Sequence, residues 1–105
     1  MQIRDVYVVV LEEATTLNNE PYKGWRREKY IGKEGVLLIV ENNESQHIQW
    51  HPIENDIILF TKGIVSSNDD VTRDGDRIIV ETLNSYYYFS MIQKKINITD
   101  EINLW

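Results

Sequence analysis

Between Pro21 and Lys33 the chain interleaves rings with cations: Tyr22, Lys23, Trp25, Arg26, Arg27, Lys29 and Tyr30 all fall within nine residues. Guanidinium and ammonium groups neutralise phosphates or carboxylates, and aromatic rings stack on bases or fill pockets on a protein partner. From Lys23 to Lys33 five basic residues stand against one acidic residue, a local charge of +4, so the rest of the chain carries −10 to reach the overall −6. A purely structural role competes with both: Trp25 and Tyr30 would anchor the segment to the core while the cations face acidic neighbours.

Two further groups of residues have the types needed for metal chemistry. Asp70, Thr72, Asp74, Gly75, Asp76 and Glu81 follow the spacing of a calcium loop of the EF-hand kind, whose oxygen ligands suit a hard cation. Thr at the third place, Arg77 at the eighth and the lack of flanking helices count against it. If Arg77–Leu83 is a strand, Glu81 lies about 16 Å from Asp76 and cannot close a cage. His47 and His51 are the two histidines. On a helix they would share a face, as zinc ligands do, but the segment alternates like a strand, which separates them by about 13 Å and predicts surface or turn positions. No metal and no cofactor is implied.

Catalytic signatures are missing from the sequence: there is no GxSxG, P-loop, GxGxxG or kinase-like set. With no cysteine, a nucleophile would have to be Ser, Thr, Lys or a carboxylate, and none has a base beside it. Adjacent pairs such as Glu12-Glu13 and Asp69-Asp70 are expected on opposite faces of a strand. Asn97-Ile98-Thr99 matches a short glycosylation sequon, unaccompanied by a secretory signal.

These residues must be carried by a single folded domain spanning 1–105. The chain is 42% apolar, with three Trp, six Tyr and two Phe, a composition that supports a core without disulfides or metal. The opening MQIRDVYVVV holds an apolar run of only Val6–Leu11, too short for a leader or a membrane span, which together with the missing cysteines predicts a cytoplasmic protein without membrane attachment. The acidic balance disfavours general nucleic-acid binding, though it also suits a mimic of nucleic acid.

The elements read as short strands bounded by turns. Val6–Leu11 and Val36–Val40 are buried strands, and the alternation from Gln46 to Trp50 makes a return strand after the turn Glu41–Ser45. Pro52 and Glu54-Asn55-Asp56 break the chain; Ile57–Phe60 resumes it, Gly63 marks a bulge and Ser66–Asp70 a turn. Asp74-Gly75 predicts a hairpin turn, and Arg77–Leu83, Asn84-Ser85 and Tyr86–Ile92 predict a further hairpin. In that last strand Tyr87 and Phe89 share one face, Tyr86 and Tyr88 the other, one pair inward and one outward. A short capped turn at Thr99 is the best helix candidate, with Leu104-Trp105 available to fold back over exposed rings. A long irregular loop occupies about 12–33.

The sequence therefore predicts an all-β, mostly antiparallel fold: a small meander barrel or half-open sandwich of about six to seven strands, with at most one short helix near the C-terminus. The expected function is a non-enzymatic protein-binding module, an inhibitor or regulator whose partner-binding residues are Tyr22, Lys23, Trp25, Arg26, Arg27, Lys29 and Tyr30. The alternative is a nucleic-acid-binding small β-barrel using the aromatic-basic loop 21–33, and an enzyme with a carboxylate site assembled from distant strands is a third reading. Richness in Ile, Asn, Lys and Tyr suits an AT-rich coding source such as a bacterium or its phage. Oligomeric state and partner identity are not legible.

Overall fold

The computed structural model describes residues 2–22, 24, 26–66 and 68–93; Met1, Lys23, Trp25, Ser67 and 94–105 lie outside the described residues, and with them the predicted C-terminal turn and the fold-back of Leu104-Trp105. The fold is all-β and antiparallel, and among the described residues its one helical element is a 3-10 turn at Glu28–Tyr30. The strands of the described residues are β1 (Gln2–Thr16), β2 (Glu34–Asn42), β3 (Ser45–Glu54), β4 (Ile57–Ile58), β5 (Ile64–Val65), β6 (Asp70–Asp74), β7 (Arg77–Glu81) and β8 (Ser85–Met91). They form one sheet in the order β4-β3-β2-β1-β8-β7-β6, with β5 added to β3.

The sheet does not close, but it curls enough to bring β3 against β8. Trp50 of β3 and Phe89 of β8 are separated by two strands in the sheet, yet their ring centroids are 6.5 Å apart. The chain also spans the open side, because β5 pairs with β3 while β6, which follows it, pairs with β7. Asp69 stitches this crossing. Its carboxylate is buried and accepts the Ile48 amide at 2.9 Å and the Ser66 hydroxyl at 2.8 Å. Its own amide donates to the Gln46 carbonyl at 2.9 Å, and its carbonyl accepts from the Gln46 side chain. The fold is thus the half-open form of the expected architecture.

β2 runs through the middle and is buried on both faces, as its unbroken apolar run implies. Leu37 and Ile39 face the concave side with Val9, Leu11, Ile48, Trp50, Ile64, Ile78, Val80, Tyr87 and Phe89. Val36, Leu38 and Val40 face the convex side with Ile53, and Ile3, Val8 and Ile58 pack against them. The inward pair of the aromatic strand is Tyr87 and Phe89. The outward pair is partly covered: Arg77 lies over the Tyr88 ring at 5.5 Å, and the Tyr88 hydroxyl donates to Asn19 at 2.8 Å.

Several boundaries differ from expectation, each for a local reason. The first strand continues to Thr16, so the irregular segment begins at residue 17 rather than 12. A register shift between Leu11 and Glu13 allows this: the bulge leaves both Glu12 and Glu13 in solvent and returns Ala14 to the core, where strict alternation would have buried one glutamate. Pro52 does not break the chain; it sits within β3 opposite Gly35, and its carbonyl accepts the Leu59 amide at 2.9 Å. Asn55 and Asp56 both take positive φ, 52° and 63°, the pattern of a two-residue hairpin turn whose hand matches strand twist. The strand expected over Ile57–Phe60 is only Ile57–Ile58. The Asp74-Gly75 signal is realised one residue later, with Gly75 and Asp76 as the turn and the positive φ at Gly75.

Candidate functional site

The connection from β1 to β2 is shaped by its own hydrogen bonds and held to the body at three points. After Thr16 a tight turn forms: the Thr16 amide donates to Glu20, the Asn19 amide returns to the Thr16 carbonyl, and Asn19 takes φ 61°. Tyr22 then reaches across to the β7–β8 turn, where its hydroxyl donates to the Asn84 carbonyl at 3.1 Å and shares a hydrogen bond with the Ser85 hydroxyl. The 3-10 turn directs Tyr30 inward, its ring centroid 5.5 Å from that of Trp50. At the far end Gly32 and Lys33 bond the backbone of Leu11, and Lys33 pairs with Glu54 at 3.6 Å.

The rings and the cations of this segment therefore part company. Tyr22 and Tyr30 pack against the main core. Arg26 and Lys29 are exposed and Arg27 is half-buried. Lys29 lies over the Tyr30 ring at 5.4 Å, and among the described residues neither Arg26 nor Arg27 makes an ion pair. One half of the structural alternative is realised, since Tyr30 does anchor the loop. The other is realised only in part: Lys33 pairs with Glu54, whereas Arg26 and Arg27 make no ion pair among the described residues. Lys23 and Trp25 fall outside the described residues.

Two concavities meet at Arg26 and Arg27. One, of about 540 Å³, lies over the open side of the sheet between Tyr22, Val65, Ser66, Asn68 and the turn Thr82–Ser85. The other, of about 280 Å³, adds Lys29, Tyr30, Thr61, Lys62 and Gly63. Of the seven predicted partner residues, Tyr22, Arg26, Arg27, Lys29 and Tyr30 thus share one continuous surface. Sequence reasoning missed Lys62, Val65 and Leu83. Leu83 is 81% exposed and Val65 60% exposed. Leu83 is expected to end a strand, but β7 stops at Glu81 and leaves this side chain without a strand face to bury it.

The other candidates resolve into structural parts. The six calcium-loop residues form the β6–β7 hairpin, with Asp70 opposite Glu81 at one end and Asp74 and Asp76 at the turn, so the carboxylates are strung along a ribbon. His47 and His51 both lie in β3, but His51 is buried rather than at the surface. Its Nδ1 is 2.9 Å from the Lys62 carbonyl, its Nε2 is 3.2 Å from the Gln49 side chain, and its ring packs on Phe60. The cover comes from the segment after β4, which folds back over this histidine, a long-range contact that no local pattern announces.

Burial holds the His51 pKa below its usual value, the Lys62 carbonyl opposing the shift only in part. Above about pH 7.5 the ring is neutral in both folded and unfolded chains, and it adds no pH dependence. Below that value the unfolded chain takes up the proton first, so stability falls as pH falls. Asp69 acts with the opposite sign, because burial raises its pKa and the folded carboxyl is protonated first on acidification. The urea midpoint is expected to drop between about pH 7 and 5, and His51→Gln should flatten that drop. An equal drop in the variant would remove His51 as its cause.

No family model, curated protein or solved structure matches the chain. Among the described residues no helix is long and apolar enough to cross a membrane.

Proposed function

We propose that this chain is a non-enzymatic protein-binding module, a small inhibitor or regulator, whose contact surface is centred on Arg26 and Arg27. The observation that carries the reading is the division of labour in the loop: Tyr22 and Tyr30 root it in the core, while the exposed Arg26 and the half-buried Arg27 line one concavity with the exposed Val65 and Leu83. Arginine is among the residue types enriched at the energetic centres of protein contacts. Such a support costs little ordering on binding, because the loop is already held by Tyr22, Tyr30 and Lys33.

Nucleic-acid stacking has less to stand on. Of its three proposed rings, Tyr22 and Tyr30 are packed inward and Trp25 lies outside the described residues, and the net charge of −6 opposes a polyanion at long range. A cytoplasmic setting in a bacterium or its host-directed phage accords with the absence of cysteine. The test is charge reversal. The double variant Arg26→Glu, Arg27→Glu is expected to lose its protein partner while keeping the wild-type urea midpoint, since neither side chain takes part in an ion pair among the described residues. Undiminished partner retention would end the proposal.

A further inference from the structure

The surface around Arg26 and Arg27 is not uniform, and its gradient of charge and polarity describes a partner. On one side Arg26, Arg27, Lys29 and Lys62 line a small concavity with no carboxylate among the described residues of its wall. In the middle lie the exposed side chains of Leu83 and Val65. Beyond Asn68, which borders both, a third concavity is lined by Glu41, Glu44, Asp69 and Asp70. Cationic, apolar and acidic ground therefore follow one another across the open side of the sheet.

We infer that the partner presents a short extended segment whose acidic residues sit at Arg26, Arg27 and Lys62 and whose apolar side chain rests against Leu83 and Val65. This rests on the protein-binding reading above. Carboxylates match the fork of a guanidinium, and Arg26, Arg27 and Lys62 line one concavity that would receive such groups. The apolar contact adds desolvated area next to the charges, which strengthens them. The acidic ground past Asn68 sets the length. A long polyanion, whether nucleic acid or an unbroken acidic tract, would run onto the exposed Glu44 and Asp70 and be repelled; a short acidic run followed by neutral residues would not.

The inference is tested by fluorescence anisotropy with three fluorescein-labelled probes of equal length. One is a peptide with glutamates and leucine in one half and only glycine and serine in the other; the others are all-glutamate and oligothymidylate. The mixed peptide is expected to bind about tenfold more tightly than either polyanion. Arg26→Glu with Arg27→Glu should weaken it about thirtyfold, Lys62→Glu should weaken it in the same direction, and Leu83→Asp should weaken the mixed peptide while leaving all-glutamate unchanged. Oligothymidylate binding as tightly as the peptide, indifference to the arginine reversal, or no binding of any probe would each overturn the inference. The protein-binding reading is judged separately, by whether the arginine reversal abolishes retention of a natural partner, so the inference can fail while that reading stands.

Discussion

Trp50→Ala is expected to destabilise the protein by about 3–5 kcal/mol and to lower Tm by roughly 12 °C or more. Trp50 is fully buried, sits between Tyr30 and Phe89, and is among the largest side chains of the core. Its removal leaves a hole between β3 and β8 and takes away the surface on which Tyr30 seats the loop. A diagonal neighbour on β2 is shaped to the indole: a Cβ at Gly35 would collide with the ring of Trp50, so the glycine on β2 and the tryptophan on β3 form a matched pair. The indole Nε1 has no hydrogen-bond partner among the described residues, so the loss is one of packing rather than of a polar contact. Trp50→Phe, which keeps a ring and removes that unpaired donor, should therefore be much milder. Urea unfolding followed by circular dichroism measures both. A cost below about 1 kcal/mol for Trp50→Ala would mean that the sheet does not close down on this ring.

Gly63→Ala should be comparably damaging, by about 2–6 kcal/mol, although it adds a single methyl group. Two effects coincide at this residue. Its φ of 125° lies in a region that side-chain-bearing residues rarely adopt, and a Cβ there would run into the Trp50 carbonyl oxygen and crowd the His51 backbone. The obstacle is main chain in the middle of β3, which cannot swing aside as a side-chain tip would. Relief would have to come from pulling Ile64 and Val65 off β3, and with them the crossing that Asp69 stitches. Gly24→Ala is the control: it also has a positive φ, 65°, but open space where the Cβ would be, so it should carry only the conformational cost. Equal destabilisation by the two substitutions would show that the contact with β3 contributes nothing.

Strand existence was legible where one physical signal acted alone. The unbroken apolar run of β2, the alternation through Ile48 and Trp50, and the aromatic alternation of β8 each place their side chains as their period requires. The misread boundaries are places where a second effect reversed a local one. Glu12-Glu13 resembles the end of a strand until a bulge lets both carboxylates face water. Asn55-Asp56 resembles a break until both residues take the left-handed φ of a tight hairpin. Half of the candidate surface was legible too, because Arg26, Arg27 and Lys29 are close in sequence. Lys62, Val65 and Leu83 were not, since only the curl of the sheet brings β5 and the β7–β8 turn beneath the loop. The inward fate of Tyr22 and Tyr30 was equally a matter of tertiary distance, set by Asn84, Ser85 and Trp50.

The most direct test of the functional account is affinity capture from a bacterial lysate, half of it treated with nuclease, using wild type and the Arg26→Glu, Arg27→Glu variant side by side. The account predicts that a protein is retained by wild type in both halves and by the variant in neither, with the two chains equally resistant to urea. Retention of the same protein by the variant, or recovery that vanishes with nuclease, would contradict it.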